Sequence, residues 1–343
     1  MKDIFACKII NGNAMKEINE ISTKELRHNW TKEELLEIYE RPLLELVYEA
    51  ATVHHTWHKA NEVQLSTLLS VKTGGCPEDC SYCGQAARYH TDIQVQSLLS
   101  TATVLAHARQ AKDNGASRFC MAAAWREVRD NRDFDRIIEM VKGVNEIGLE
   151  VCCTLGMLTE QQAIRLKEAG LHAYNHNLDT SEEYYEEIIS TRKFDQRIGT
   201  INHARQAGLT VCSGGIIGLG ETHADRMAML RTLANMEQHP ESVPINALAR
   251  VKGTPLENNP KVALWDMVRM IATARIVMPA SMVRLSAGRL EMTETEQAWC
   301  FMAGANSIFT GERETLLVTP NPSIVDDRIM LENLGLKPMK RTN

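Results

Sequence analysis

The stretch EVCCTLGMLTEQQAIRLKEAG, residues 150–170, decides the fold. It opens on a β-type run, Glu150–Gly156, in which Val151, Cys153 and Leu155 share one face and Cys152, Thr154 and Gly156 the other. It closes on a helical pattern, Thr159–Ala169, with Gly170 placed to end the helix. The same strand–helix unit recurs along the chain. Further β-type runs fall at Val63–Val71, Arg118–Ala124, Ala173–Asp179, Leu209–Leu219, Ser242–Val251, Ser281–Ala287 and Ser307–Thr310. Helical patterns such as Ala102–Asn114, Phe134–Ile147, Phe194–Ala207 and Ala263–Val277 separate them, and Gly115, Gly148 and Gly208 stand at helix ends. Eight such runs imply a parallel α/β sheet, and eight is the closure number of a TIM-type (β/α)8 barrel. A doubly wound open sheet is the alternative.

Ahead of the first strand, Thr31 and Glu34 have capping-box spacing, and Trp30 is placed to pack on Leu35 as a hydrophobic staple. Leu35, Leu36, Tyr39, Leu43, Leu44 and Val47 continue at helical spacing, which predicts one long helix to about His55. Residues 1–29 are polar and irregular. The expected division is an N-terminal helical extension at 1–60, the barrel at 61–318 and a C-terminal tail at 319–343.

The 343 residues carry a net charge of −6 with no dense Lys/Arg run, which disfavours nucleic acid as the main partner. No apolar stretch approaches membrane-spanning length, so no membrane partner is expected. The one early apolar run, Ile4 to Cys7, is too short and too charged for a secretory core, which predicts a cytoplasmic protein. Nine cysteines, an odd number, speak against a disulfide framework and for metal or redox chemistry. Cys7, Cys153 and Cys300 read as ordinary buried residues. His54, His55 and His58 read as a surface cluster at a helix end.

The loop after the first strand reads CPEDCSYC, placing Cys76, Cys80 and Cys83 in CxxxCxxC spacing. Three thiolates within eight residues suit one iron–sulfur cubane and leave one iron open for another ligand. Zinc would ordinarily take four ligands. This spacing, with Tyr82 before the last cysteine, resembles the radical S-adenosylmethionine (SAM) superfamily, in which SAM chelates the open iron of a [4Fe–4S] cluster.

Strand alternation suggests a second constellation. Phe119 and Met121 suit the helix layer, which turns Cys120 inward beside Ala122 and Ala124. Val151, Cys153 and Leu155 pack outward, leaving Cys152 inward; Cys212 shares its parity with Thr210 and Gly214; Val283 and Leu285 send Arg284 inward. The residues alone allow either a second metal site or core cysteines, with Arg284 as a charge partner, since a buried unpaired cation is costly.

From about residue 34 to 335 the chain resembles the biotin synthase family. The matching runs include STLLS at 66–70, YNHNLDT at 174–180, CSGG at 212–215, VPIN at 243–246, VRLSAGR at 283–289 and FMAGANSIF at 301–309. The resemblance implies that Cys120, Cys152, Cys212 and Arg284 ligate a [2Fe–2S] cluster, with the arginine a true ligand. It implies that Tyr82, Asn177, Asp179 and Arg197 lie at SAM, and that Asn177 and Asn246 lie at the substrate, dethiobiotin. The run GGIIGLGE at 214–221 looks like the superfamily's GxIxGxxE stretch and places Ile216 near adenine. The implied reaction is radical insertion of sulfur into dethiobiotin, the [2Fe–2S] cluster being the donor. Its cysteines are ligands rather than nucleophiles. A flavodoxin- or ferredoxin-type reductant and a homodimer are likewise implied. One departure is Ala122, where the family commonly has glycine.

Overall fold

A computed structural model describes residues 25–311 and 321–340. Cys7, the Ile4–Cys7 run, most of the irregular N-terminal stretch and the expected boundary at 318 lie outside those residues.

The chain enters through two helices, α1 (Lys32–Glu40) and α2 (Leu43–Trp57), where the sequence predicted one. The break falls at Pro42. Proline has no N–H to continue the helical ladder, and it drives the preceding Arg41 to an extended conformation (ψ 155°). The Arg269 guanidinium then donates to the carbonyls of Tyr39 and Arg41 at 2.6 and 2.7 Å. The capping box between Thr31 and Glu34 forms as expected.

The strands are β1 (Glu62–Lys72), β2 (Arg118–Ala123), β3 (Glu150–Thr154), β4 (Ala173–Asn175), β5 (Thr210–Cys212), β6 (Gly215–Ile217), β7 (Ser242–Ala247), β8 (Met282–Leu285), β9 (Ser307–Phe309) and β10 (Lys337–Pro338). All pairings among them are parallel. They run β1-β2-β3-β4-β5-β7-β8-β9, and β9 pairs back onto β1, closing a (β/α)8 barrel. The expected single run Leu209–Leu219 is two short pieces in one register on β7, with Cys212 opposite Ser242 and Gly215 opposite Ile245. Between them Gly214 lies so near the Pro244 carbonyl that a Cβ would sit 2.0 Å from its oxygen.

Helices α3 (Thr101–Asp113), α4 (Arg132–Ile147), α5 (Glu160–Glu168), α6 (Glu182–Ile188), α7 (Phe194–Gln206), α8 (His223–Ala234), α9 (Leu264–Val277) and α10 (Glu294–Met302) follow the strands. Gly115, Gly148, Gly170 and Gly208 all adopt positive φ at helix ends, as read from the sequence. After the barrel, α11 (Ile324–Asn333) leads to β10, which pairs with the start of β1.

The core divides by parity. Val63, Leu65, Leu69 and Val71 of β1 join Phe119, Met121, Val151, Cys153 and Leu155 in the layer between strands and helices. The inner face of β1 carries Gln64, Ser66 and Ser70, all buried. Barrel interiors of this kind are normally filled with branched apolar residues. A polar interior must therefore satisfy its own donors and acceptors, or hold something that does.

Candidate active site

The first cysteine set sits at the barrel mouth, in the loop that leaves the C-terminal end of β1, where barrels of this type build their active sites. Cys76 N–H donates to the Gln85 carbonyl at 2.9 Å, and Ala87 N–H donates to the Cys76 carbonyl at 2.8 Å. Cys83 N–H closes a turn on the Cys80 carbonyl at 2.9 Å. Burial pushes the Cys80 thiol up to about 12 and the Cys83 thiol to about 11, and raises Cys76 as well. Such thiols ionise when a metal stabilises the thiolate. Among the described residues no three His, Cys, Asp or Glu side chains close on a single bare metal ion. The cysteines are grouped more openly, in two sets, and thiolates so arranged are the donors iron–sulfur clusters use.

The second set lies within the barrel. Cys120 and Cys152 are register partners on β2 and β3, and both belong to a small inner cluster with Ala173 and Phe309. Their proximity lowers the Cys120 thiol and raises Cys152, and Arg284 and Arg118 add a positive field at both. Cys212 is fully buried and accepts from Asn175 Nδ2 at 3.0 Å. Arg284 is 1% exposed. Its Nε donates to Ser307 Oγ at 3.0 Å, Nη2 to Gln64 Oε1 and Ser66 Oγ at 3.3 Å each, and Nη1 reaches Cys212 Sγ at 3.8 Å. Its guanidinium stacks over Phe309. Ser307, Gln64 and Ser66 carry no charge, and among the described residues no carboxylate pairs with Arg284. A buried guanidinium with no carboxylate partner among the described residues, facing three inward cysteines, fits an anionic thiolate-ligated cluster there.

Above this set, at the C-terminal ends of β4 and the broken fifth strand, the residues expected at SAM come together. Tyr82 OH donates to Asp179 Oδ2 at 2.6 Å, and Arg197 pairs with the same oxygen. Arg197 also donates to the Asn177 carbonyl at 2.7 Å and to Tyr185 OH at 2.6 Å. Asp179 has φ +70°, the one positive value at a non-glycine among the described residues, a strained conformation found disproportionately at functional sites. Its carbonyl accepts from Ile216 N–H at 2.8 Å. Asn177 Oδ1 accepts from Gly214 N–H at 3.3 Å. Asn246 donates to the Gly215 carbonyl at 2.9 Å and accepts from Ala287 N–H at 3.2 Å, so it is tied to the chain on either side of its own strand. Gly215 is required: a Cβ would meet Met229 Sδ at 2.0 Å and the Asp179 carbonyl at 2.8 Å. The glutamate ending the GxIxGxxE stretch has a local task. The Glu221 carboxylate accepts the N–H groups of Gly218, Leu219 and Gly220 at 2.7–3.1 Å, holding that turn open beneath Ile216.

Several neighbours were not singled out from the sequence. Gln64, Ser66 and Ser307 hold Arg284; the signal was the polar inner parity of β1. The buried Arg118 and the half-buried Glu150 form an ion pair at 3.0 Å on the strand positions just below Cys120 and Cys152. Asn175 bridges Thr154 Oγ1 and Cys212 Sγ. The histidine reading holds for the exposed His55 and needs correction at His54 and His58. His54 is 4% exposed and stacks on His58, which meets the buried Arg275 at 2.8 Å, because α2 turns that face onto the barrel rather than to water. Burial brings His54 down to about 3 and His58 to about 4.

The fold and the cysteine loop define a radical SAM enzyme: residues 70–233 match the radical SAM superfamily model, so a [4Fe–4S] cluster and SAM are its cofactors. Residues 244–337 match the biotin and thiamin synthesis associated domain. The chain is 63% identical to the biotin synthase of Cytophaga hutchinsonii, covering 92% of this chain and 93% of that one. It is 59% identical to the biotin synthase of Nostoc punctiforme, over 91% and 93% of the two chains. The chain belongs to the biotin synthase family. Among solved structures, methylornithine synthase shares the fold at a TM-score of 0.76 and 20% identity, over 90% of this chain and 94% of that one. Among the described residues no helix is long and apolar enough to cross a membrane.

Proposed function

We propose that the chain inserts sulfur into dethiobiotin to form biotin, with a [4Fe–4S] cluster held by Cys76, Cys80 and Cys83 and a [2Fe–2S] cluster held by Cys120, Cys152, Cys212 and Arg284. The observation that carries this reading is the convergence of three inward cysteines and a buried arginine without a carboxylate partner among the described residues. When bound, the clusters and SAM supply the electron, the hydrogen-abstracting carbon radical and the sulfur.

The protein's own residues bind and orient. Tyr82 and Arg197 fix the Asp179 carboxylate, which then presents its remaining lone pairs to a ribose diol, and Arg197 offers charge to the methionine carboxylate. Asn177 and Ile216 frame the SAM side of the mouth, and Asn177 and Asn246 offer amide donors and acceptors to the ureido ring of the substrate. Phe309, Leu68 and Ala173 wall the interior and keep water from the reacting carbons. The reductant is a flavodoxin- or ferredoxin-type protein and the working form a homodimer; both follow the family. A cytoplasmic setting is part of this reading, since thiolate ligands of iron–sulfur clusters need reducing surroundings.

The test is anaerobic incubation with dethiobiotin, SAM and a reductant, followed by mass spectrometry for biotin and 5′-deoxyadenosine. Biotin is expected. Formation of 5′-deoxyadenosine without biotin would reject the substrate, and absence of both would reject the reaction.

A further inference from the structure

Two of the three residues between the first pair of loop cysteines, Glu78 and Asp79, point away from the mouth and into the protein. Asp79 is 7% exposed and Glu78 only 2%. Both bind one short segment, Ser190–Arg192, more than a hundred positions along the chain. Asp79 Oδ1 accepts Ser190 N–H at 3.0 Å and Thr191 N–H at 3.1 Å, and lies 2.8 Å from Thr191 Oγ1. Asp79 Oδ2 takes the Ser190 hydroxyl and, at 3.0 Å, Arg88. In the opposite direction, Asp79 N–H donates to Thr191 Oγ1 at 3.1 Å. The Thr191 hydroxyl also meets Glu78 Oε2, while Arg126 and Arg192 face Glu78 Oε1 at 3.4 and 3.7 Å. Ser81 N–H donates to the Ile188 carbonyl at 3.0 Å.

Beyond the single bridge of Cys76 to Ala86, the eight-residue loop with its three ligands has no strand register to fix its shape. Left alone it would lose the entropy of ordering each time it gathered its thiolates. Here every residue from Glu78 to Ser81 except the ligand Cys80 carries a bond to the 188–192 segment. The same segment runs into α7, whose Arg197 grips Asn177 and Asp179. One piece of chain thus sets both the cluster loop and the cofactor-facing carboxylate.

We propose that Glu78 and Asp79 are positioning residues for the [4Fe–4S] cluster, acting through Ser190 and Thr191 as a splint that holds the cysteine loop in its ligating shape. The splint needs only the cluster that the superfamily carries, and it stands or falls independently of the sulfur-donor reading.

Thr191 provides the test, because it is outside the motif and touches no expected ligand. The full chain, anaerobically reconstituted and reduced, is followed by the electron paramagnetic resonance signal of its [4Fe–4S] cluster during exposure to a ferrous chelator. Circular dichroism melting is recorded in parallel, with the unaltered protein alongside. Thr191→Val and Asp79→Asn should each lose the signal roughly 10-fold faster, the scale expected when groups behind metal ligands are removed. Thr191→Ser, which keeps the hydroxyl, should lose it at the unaltered rate. The double variant should be little worse than either single one, since both break the same bonds. A Thr191→Val protein that keeps its cluster as long as the unaltered chain would overturn the proposal. So would a Thr191→Ser protein as leaky as Thr191→Val, because that would indicate packing rather than hydrogen bonding. If Asp79→Asn does not fold, the Val and Ser variants at 191 decide alone.

Discussion

The two cysteine sets are built by opposite means. At the mouth, Cys76, Cys80 and Cys83 are neighbours in sequence, carried by a loop whose shape comes from a distant segment. In the interior, Cys120, Cys152 and Cys212 are far apart in sequence, and register brings them together: Cys120 opposite Cys152, and Cys212 opposite Asn175. The first arrangement is cheap to encode and needs outside support. The second is written across the whole barrel, and its support is the barrel itself.

The largest expected effect separates the sets by product. Cys80→Ala should reduce 5′-deoxyadenosine formation to background. Cys152→Ala should still yield 5′-deoxyadenosine while biotin becomes undetectable by mass spectrometry. Loss of both products in Cys152→Ala would mean the interior set also serves the first chemistry, and the division drawn here would fail.

The next effect concerns the floor beneath the interior set. Arg118→Met strands the Glu150 carboxylate and should cost about 3 kcal/mol in urea unfolding, as when one partner of a buried pair is removed. Arg118→Met combined with Glu150→Gln should recover most of that loss. If it does not, the floor depends on the shape of the pair rather than on its charge balance.

A smaller effect tests orientation. Cys153 is buried in the helix layer behind Cys152. Cys153→Ala should cost about 1 kcal/mol in melting or urea experiments, as an ordinary core truncation does, and leave iron content unchanged. A fall in iron content would place Cys153 among the ligands.

The smallest lies far from either set. His54 is held neutral by burial, its pKa brought down to about 3, whereas the unfolded chain takes up that proton near 6.5. Its contribution to stability is therefore complete above pH 6.5 and is lost progressively as pH falls toward 3. His54→Gln should flatten the decline of melting temperature between pH 7 and 5 without altering iron content. An equally steep decline would assign the acid sensitivity to other groups.

Much of this was legible in the sequence because two short periods governed it. Alternation along β3 separated Cys152 from Cys153, and recurring glycine caps marked the strand–helix units. Pro42 was just as visible, yet the apolar spacing ran on through it and masked the break. What resisted reading was contact between distant segments. Nothing local announces that Ser190 and Thr191 bind Asp79, or that Gln64 and Ser307 meet Arg284, since closure of the barrel creates those neighbours. Electrostatics marked Arg284 as needing a partner, and the resemblance named it a ligand. The structure adds that no carboxylate among the described residues pairs with it: its oxygen partners are Ser307, Gln64 and Ser66.

The adjacent cysteines of β3 carry one more consequence. A strand that slips by a single residue exchanges its faces, so Cys153 would arrive at the axis as Cys152 departed. A misthreaded barrel would still present sulfur to arriving iron. Val151 and Leu155 would turn inward with it, however, and the helices outside would lose their packing. At this strand the metal cannot proofread the fold; the apolar layer must.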